Sequence, residues 1–138
     1  MEAPPEATAI LVAAGAGQRM GGVPKAFIPL LGRPLIAYSL LALEQAPAIG
    51  AIVLVLPAEA LARGRALVHE LGLTKVAALC AGGATRRDSV RAGLQASPPS
   101  RWTLVHDGAR PCLTADLIAR GLEAVQSTGA AVAAVPLA

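Results

Sequence analysis

The sequence predicts an α/β protein whose mostly parallel sheet is covered by helices on both faces. Strand-like and helix-like patterns alternate along the chain, and the predicted strands are uniformly apolar rather than alternating. Strands of that composition are buried on both faces, as in parallel sheets joined by crossover helices. Because 54% of the 138 residues are hydrophobic and 15% are charged, we expect residues 1–138 to form one domain with a substantial core.

The first predicted strand spans residues 8–13, an apolar run that ends in a glycine-rich segment. The first predicted helix runs from Pro34 to about Gln45. Proline suits the first turn of a helix because the N–H group it lacks would have no partner there. The leucines and the isoleucine that follow supply an apolar face.

The second predicted strand, residues 51–56, is a continuous apolar run that Pro57 ends. A helix is predicted from about Ala58 to Leu71. Gly72 is its predicted C-terminal cap, since glycine tolerates the left-handed backbone common at that position.

A weaker strand is predicted at residues 74–80, before a pair of glycines. Thr85 is then a suitable N-cap for a helix that runs to about Gln95, because its hydroxyl can accept a bond from a free backbone N–H group. We expect this helix to bury Val90 and Leu94, which lie four residues apart on one face.

The last predicted elements are a strand at residues 102–106, a helix capped by Thr114 that runs through Gln126, and a final strand at residues 130–135. Residues 97–100, which precede the strand at residues 102–106, are too few to be a linker between domains.

Three loops that follow predicted strands hold most of the unusual polar residues. They are residues 15–25, the pair Gly82-Gly83, and residues 106–111. Ligands of open parallel sheets bind beyond the carboxyl ends of the strands. We therefore expect these loops to form a binding site together.

The first loop combines small residues with two cations, Arg19 and Lys25. Small residues let backbone N–H groups approach a polyphosphate, whose charge the cations would neutralise. It is not a Walker A loop, because Ala26 stands where Ser or Thr is required, nor a dinucleotide fingerprint, because Met20 replaces the third glycine. We predict a nucleotide-handling loop, with a flexible strand-to-helix turn as the alternative.

The second loop leads into a predicted helix N-terminus. Free N–H groups and hydroxyls at such a position can bind an anion or the hydrogen-bonding edge of a base. The alternative is ordinary helix capping by Thr85 or Asp88.

The third loop begins at Asp107, which ends a predicted strand. A carboxylate in that place can hold magnesium together with substrate phosphates, and the alternative is a turn-forming role before Gly108. The guanidinium of Arg110 suits a second phosphate. We interpret His106 as a partly buried residue at the strand end rather than as a base, because no nucleophile lies near it in the sequence.

The composition argues against several other classes of protein. The net charge is +3 and the basic residues are scattered, which does not favour nucleic-acid binding. The two cysteines, Cys80 and Cys112, lack metal-ligand spacing and are expected to be reduced. The acidic, proline-rich N-terminus is unlike a signal peptide, and no apolar run is long enough to span a membrane. We therefore expect a soluble cytoplasmic protein.

Four blocks of sequence resemble the 2-C-methyl-D-erythritol 4-phosphate cytidylyltransferase family. These blocks are residues 13–21 with 24–27, residues 32–40, residues 82–94 and residues 105–111. The first block is similar to that of many sugar nucleotidyltransferases, and the last two narrow the resemblance to this family. Together they cover nearly the whole chain in the expected order.

The resemblance implies a Rossmann-like three-layer sandwich of the nucleotide-diphospho-sugar transferase type, incomplete at its C-terminus. It also implies that CTP and 2-C-methyl-D-erythritol 4-phosphate react to give the CDP-linked methylerythritol and pyrophosphate. The reaction belongs to non-mevalonate isoprenoid biosynthesis and uses Mg²⁺ or another divalent cation.

The resemblance further implies roles for individual residues. Arg19 and Lys25 match the catalytic cations of the family, Asp107 matches a nucleotide and metal position, and Arg110 matches a position that helps to hold the polyol phosphate. The other positions implied to bind the nucleotide are Ala13, Ala14, Gly15, Ala16, Gly17, Gly82, Gly83 and Ser89.

The chain departs from the family pattern in two places. Gly108 replaces the usual alanine, which we expect to relax the loop slightly. The chain also ends at Ala138, before an Asp-Thr segment, a dimerisation arm and a late lysine-containing strand that the family pattern includes. Residues 1–138 are therefore expected to be the N-terminal part of a longer domain, and the family homodimer would lack its arm. Ribitol 5-phosphate as acceptor, and CTP binding without turnover, are the alternatives.

Overall fold

The computed structural model describes residues 6–15 and 23–137. Within these residues the strands are β1 (Ala7–Val12), β2 (Pro29–Leu30), β3 (Arg33–Pro34), β4 (Ile49–Leu56), β5 (Val76–Ala81) and β6 (Trp102–Asp107). The helices are α1 (Leu35–Gln45), α2 (Leu61–Glu70), α3 (Arg86–Ala96) and α4 (Ala115–Thr128), with short 3₁₀ helices at Lys25–Phe27 and Ala58–Ala60. The predicted alternation of strands and helices is confirmed.

The main sheet has four parallel strands in the order β5-β4-β1-β6. The chain builds the sheet outward from β1 through β4 to β5 and then crosses to the other side of β1 to add β6. The order of the strands therefore reverses between β1 and β6. The small antiparallel pair of β2 and β3 lies outside this sheet.

The core lies on both faces of the sheet, which confirms the predicted layering. Alternate residues of β1 point to opposite faces, so that Leu11 joins one buried cluster and Ile10 the other. Side chains of α1, α2 and α4 pack in the first cluster, and Val90 of α3 packs against the second. Strands buried on both faces must be apolar throughout, which explains the composition of β1 and β4.

The predicted caps at Thr85, Thr114 and Gly72 are confirmed, whereas Pro34, predicted as the first helical residue, precedes α1 with an extended ψ of 144°. Thr85 accepts a hydrogen bond from the Asp88 N–H group while the Asp88 carboxylate accepts one from the Thr85 N–H group, which is a capping box. Thr114 caps α4 through a bond from the Leu117 N–H group. Gly72 has a φ of +64°, the left-handed backbone expected after α2.

The predicted burial of Leu94 is wrong, since that side chain is 49% exposed. The face of α3 that meets the sheet carries the small residues Ser89 and Gly93 instead. A Cβ atom at position 93 would lie 2.5 Å from Cγ2 of Ile10. The helix therefore lies too close to the sheet for a larger side chain at position 93.

The predicted final strand at residues 130–135 is also wrong, because this segment is exposed and irregular. A cavity of about 900 Å³, lined by β6, α4 and residues 131–135, separates it from the sheet. A strand needs a neighbour at hydrogen-bonding distance. Within the described residues β6 is the edge of the sheet, and the segment does not reach it. None of the described helices has the length and apolar character needed to cross a membrane.

Candidate functional site

The candidate site lies at the carboxyl ends of β1, β5 and β6. Two of these strands, β1 and β6, meet where the strand order reverses, and Val12 pairs with Asp107 at their ends. Loops that leave neighbouring strands there run in opposite directions and open a crevice. The structure therefore brings together the Ala13–Gly15 segment, the Gly82-Gly83 pair and the loop after Asp107, as the sequence predicted.

Gly82 forms a tight contact between two of the predicted nucleotide-binding segments. A Cβ atom at this position would lie 2.1 Å from Cβ of Ala14 and 2.6 Å from Oγ of Ser89. The Gly82 N–H group donates to the carbonyl of Leu56, at the end of β4, at 2.8 Å. Only glycine allows the chain to pass at this distance. We call the group of Ala14, Gly82 and Ser89 the glycine wall.

Ser89 connects the glycine wall to helix α3. Its side chain is only 3% exposed, and its Oγ accepts a hydrogen bond from the Gly83 N–H group at 3.2 Å. The hydroxyl proton of Ser89 is a donor that this bond does not use. Thr85 and Asp88 cap the helix reciprocally, so ordinary capping engages these two residues and not Gly82 or Ser89.

Asp107 is held by two arginines, which we call the Asp107 ion cluster. Arg86 donates from Nε and Nη2 to Oδ1 at 3.1 and 3.0 Å, and Nε of Arg110 forms an ion pair with Oδ2 at 3.1 Å. The carboxylate is 32% exposed, whereas Arg86 and Arg110 are 62% and 76% exposed. Arg86 was not predicted as a site residue, since a residue at the start of a helix carries no sequence signal for a partner 21 positions away.

The loop that carries Arg110 is fixed through its backbone. The carbonyl oxygen of Arg110 accepts hydrogen bonds from Oγ of Ser39 at 3.0 Å and from Nε2 of His106 at 2.9 Å. A carbonyl can only accept, so this nitrogen of His106 carries a proton. The interpretation of His106 as a structural residue at the strand end agrees with this bond. Sequence reasoning missed Ser39, a fully buried polar residue on the apolar face of α1.

Gly108 brings the same loop against the end of β1. Its N–H group donates to the carbonyl of Val12 at 2.8 Å, and a Cβ atom there would lie 2.8 Å from Cβ of Ala13. An alanine at this position would therefore require Ala13 or the loop to shift. Gly108 permits close packing of the two segments here, beyond any effect on loop flexibility.

Lys25 is exposed at the start of the first 3₁₀ helix, whose other residues, Ala26 and Phe27, are buried in the core. The guanidinium of Arg63 stacks on the Phe27 ring at 4.4 Å. The backbone that carries Lys25 is thus anchored, while its ammonium group faces solvent. Ala16, Gly17 and Arg19 lie outside the described residues.

The fit of a divalent cation rests on Asp107. In the described part of the chain no three His, Cys, Asp or Glu side chains are grouped so that they could hold a metal ion. Mg²⁺ is commonly held by one or two carboxylates together with substrate phosphates. Asp107 therefore suits a cation that brings most of its other ligands with it.

Both cysteines are free, and burial raises the pKa of the Cys80 thiol.

Comparison with known proteins decides the family. The model of the 2-C-methyl-D-erythritol 4-phosphate cytidylyltransferase family matches residues 7–138. The chain belongs to this family. The resemblance that the four sequence blocks indicated is thereby confirmed.

Individual relatives agree with the family assignment. The chain is 45% identical over 129 residues to the 2-C-methyl-D-erythritol 4-phosphate cytidylyltransferase of Dehalococcoides mccartyi, a match that covers 94% of this chain and 57% of that protein. It is 50% identical over 130 residues to the bifunctional enzyme IspD/IspF of Desulforudis audaxviator, covering 93% of this chain and 33% of that protein. The chain thus spans little more than half the length of its single-function relatives.

Solved structures support the fold in the same way. The 4-diphosphocytidyl-2C-methyl-D-erythritol synthase of Anaerococcus prevotii superposes with a TM-score of 0.75 at 25% identity, covering 88% of this chain and 51% of that one. The inositol-1-phosphate CTP transferase of T. maritima, at 22% identity and a TM-score of 0.63, shares the fold. The predicted cytidylyltransferase type of α/β fold is therefore confirmed for this member of the family.

Proposed function

We propose that this chain forms the CTP-binding part of a cytoplasmic 2-C-methyl-D-erythritol 4-phosphate cytidylyltransferase. The reaction would join CTP to the polyol phosphate, release pyrophosphate and contribute to non-mevalonate isoprenoid biosynthesis. The observation that carries the proposal is the convergence of the family's motif segments at one crevice, with the glycine wall on one side and the Asp107 ion cluster on the other.

The glycine wall is the proposed contact for the cytidine end of CTP. Within this wall the Ser89 hydroxyl is the proposed donor to the hydrogen-bonding edge of a base, because the Gly82 N–H group is already bonded to the carbonyl of Leu56. The small residues of the segment 13–17 would allow the phosphates to approach the backbone.

Positively charged residues are the proposed contacts for the phosphates. Arg19 and Lys25 would stabilise the charge that develops at the α-phosphate and on the departing pyrophosphate, while Arg110 would hold the phosphate of the acceptor. That phosphate is already a competent nucleophile. Its oxygen forms a bond to the α-phosphorus of CTP as the bond between that phosphorus and the β-phosphate oxygen breaks. Positioning and charge neutralisation therefore account for most of the catalysis required.

A divalent cation would bind at Asp107 together with the phosphates of CTP. When bound, it would neutralise charge on the triphosphate and favour departure of pyrophosphate. The partly exposed carboxylate of Asp107 lies at the end of β6, beside the crevice, where a ligand that displaces the arginines would reach it. The segment that follows the chain in its longer relatives is expected to complete the acceptor pocket and the homodimer.

Binding of CTP tests the role of the glycine wall. Gly82→Ala places a methyl group against Ala14 and Ser89, so we expect calorimetry to show at least tenfold weaker CTP binding than in the unaltered chain. Gly121→Ala is the matched control, because a Cβ atom there has no neighbour within 4 Å. Equal CTP affinity in the two variants would contradict a cytidine site at this wall.

Release of pyrophosphate tests the catalytic part of the proposal. With CTP, 2-C-methyl-D-erythritol 4-phosphate and Mg²⁺, Lys25→Ala should lower turnover by about 10²–10³-fold, as expected for removal of a group that stabilises transition-state charge. Arg65→Ala, which removes an exposed charge on α2, is the control. The assay is run both on this chain and on the same chain extended by the C-terminal part of a relative.

The acceptor is tested in the same assay. Ribitol 5-phosphate is supplied in place of methylerythritol phosphate, and faster turnover with it would change the proposed substrate. The sequence of residues 34–40 favours methylerythritol phosphate. If this chain binds CTP but only the extended chain turns it over, residues 1–138 bind the nucleotide and the remaining segment is needed to bind the acceptor.

A further inference from the structure

The Asp107 ion cluster engages both oxygens of the carboxylate. Arg86 binds Oδ1 through two nitrogens and Arg110 binds Oδ2 through one. The chain thus places two full positive charges within about 3 Å of the group that the proposed function assigns to a cation. A divalent cation that approached the same oxygens would be repelled by both guanidiniums.

The backbone positions of the three residues are fixed independently of the ion pairs. Asp107 ends a strand that is paired with β1, Arg86 lies within the capping box formed by Thr85 and Asp88, and the carbonyl of Arg110 is held by Ser39 and His106. Only the long side chains of the arginines need to move for the cluster to open. Exposed guanidiniums lose little free energy when they exchange one anion for another.

We propose that Arg86 is a positioning residue that, with Arg110, keeps Asp107 closed to divalent cations until a phosphate-bearing ligand competes for the guanidiniums. Phosphate and carboxylate oxygens are alternative bidentate partners for arginine. A triphosphate that reaches the crevice would draw the Arg86 guanidinium away and release Oδ1 of the carboxylate, while Arg110 remains for the phosphate of the acceptor. The cation then binds with the nucleotide and not before it. This second step rests on the proposed function, whereas the closed state without nucleotide does not.

The test measures Mn²⁺ binding to the nucleotide-free chain by electron paramagnetic resonance, which detects the unbound ion. Arg86→Gln removes one of the two repelling charges, so we expect roughly tenfold tighter Mn²⁺ binding than in the unaltered chain. Arg87→Gln is the matched control, since it makes the same change at the next position of α3 and has no ion pair in the described structure. It should bind Mn²⁺ as the unaltered chain does.

A second variant assigns any gained binding to Asp107. The double variant Arg86→Gln with Asp107→Asn should lose the tighter Mn²⁺ binding completely. The proposal is overturned if Arg86→Gln binds Mn²⁺ no more tightly than the unaltered chain, or if the gain survives Asp107→Asn. Circular dichroism of each variant checks that it is folded. Because no nucleotide is present, failure here is distinct from failure of CTP binding, which calorimetry reports separately.

Discussion

Two carboxylates connect distant parts of this molecule in different ways. Glu44, at the end of α1, accepts hydrogen bonds from the backbone N–H and the hydroxyl of Thr74 at 2.7 and 2.6 Å and from the N–H group of Lys75 at 3.0 Å. Among the described residues, the carboxylate of Asp107 is bound only by the guanidiniums of Arg86 and Arg110. The partners of Glu44 are mostly backbone groups that cannot leave, whereas those of Asp107 are flexible side chains that can.

The contacts of Glu44 are therefore structural, whereas the ion pairs of Asp107 can be exchanged for contacts with a ligand. The three donors that contact the half-buried carboxylate of Glu44 are neutral, and the nearby charge of Lys75 stabilises the carboxylate further. Arg86 and Arg110 are more than half exposed, so their ion pairs contribute little to folding and open at little cost. The weak ion pairs of Asp107 are therefore suited to a binding site. The hydrogen bonds of Glu44 are suited to stabilising the fold.

The largest effect that this comparison predicts is on stability at Glu44. In Glu44→Gln a neutral amide replaces the carboxylate that accepts the bonds from Thr74 and Lys75, and only one of its two polar atoms can accept. We expect the free energy of unfolding in urea to fall by about 1.5 kcal/mol, the lower end for hydrogen bonds to a charged group because the site is partly exposed. Glu70→Gln, on the exposed face of α2, should change it by less than about 0.5 kcal/mol.

The pH dependence of that loss follows from the pKa of Glu44. Burial acts to raise this pKa, but the hydrogen bonds from Thr74 and Lys75, together with the charge of Lys75, outweigh it and lower the pKa overall. A lowered pKa in the folded state means that the stabilisation is complete above the ordinary pKa of glutamate. It is lost as the pH falls through the lower, folded value. The difference in stability between the unaltered chain and Glu44→Gln should therefore shrink as urea unfolding is repeated from pH 7 down to pH 3.

The smallest effect is predicted at Asp107. Asp107→Asn removes both exposed ion pairs, and we expect the free energy of unfolding to change by less than about 1 kcal/mol at pH 7. Added salt should make the difference smaller still, since it screens exposed charges. A loss of stability as large as that in Glu44→Gln would show that the Asp107 ion cluster stabilises the fold. The two carboxylates would then not differ in role.

Two predictions from the sequence, the burial of Leu94 and a strand at residues 130–135, were wrong for identifiable physical reasons. Leu94 satisfies the helical spacing of a buried residue, yet the close approach of α3 at Gly93 turns Ser89 and Gly93 toward the sheet instead. Residues 130–135 have the composition of a strand, but strand formation requires a partner that the described part of the chain does not place beside them. Periodicity reports local preference and contains no information on such distances.

By itself, the sequence determined the alternation of strands and helices, the helix caps at Thr85 and Thr114, and which three loops share the rim of the sheet. These features depend on neighbouring residues and on the general geometry of parallel sheets. Only the tertiary structure decided that Arg86 meets Asp107, that Ser39 holds the carbonyl of Arg110, and that Gly82 is pressed between Ala14 and Ser89. Contacts of this kind join residues far apart in the chain, and their existence depends on ångström-scale distances that no local pattern encodes.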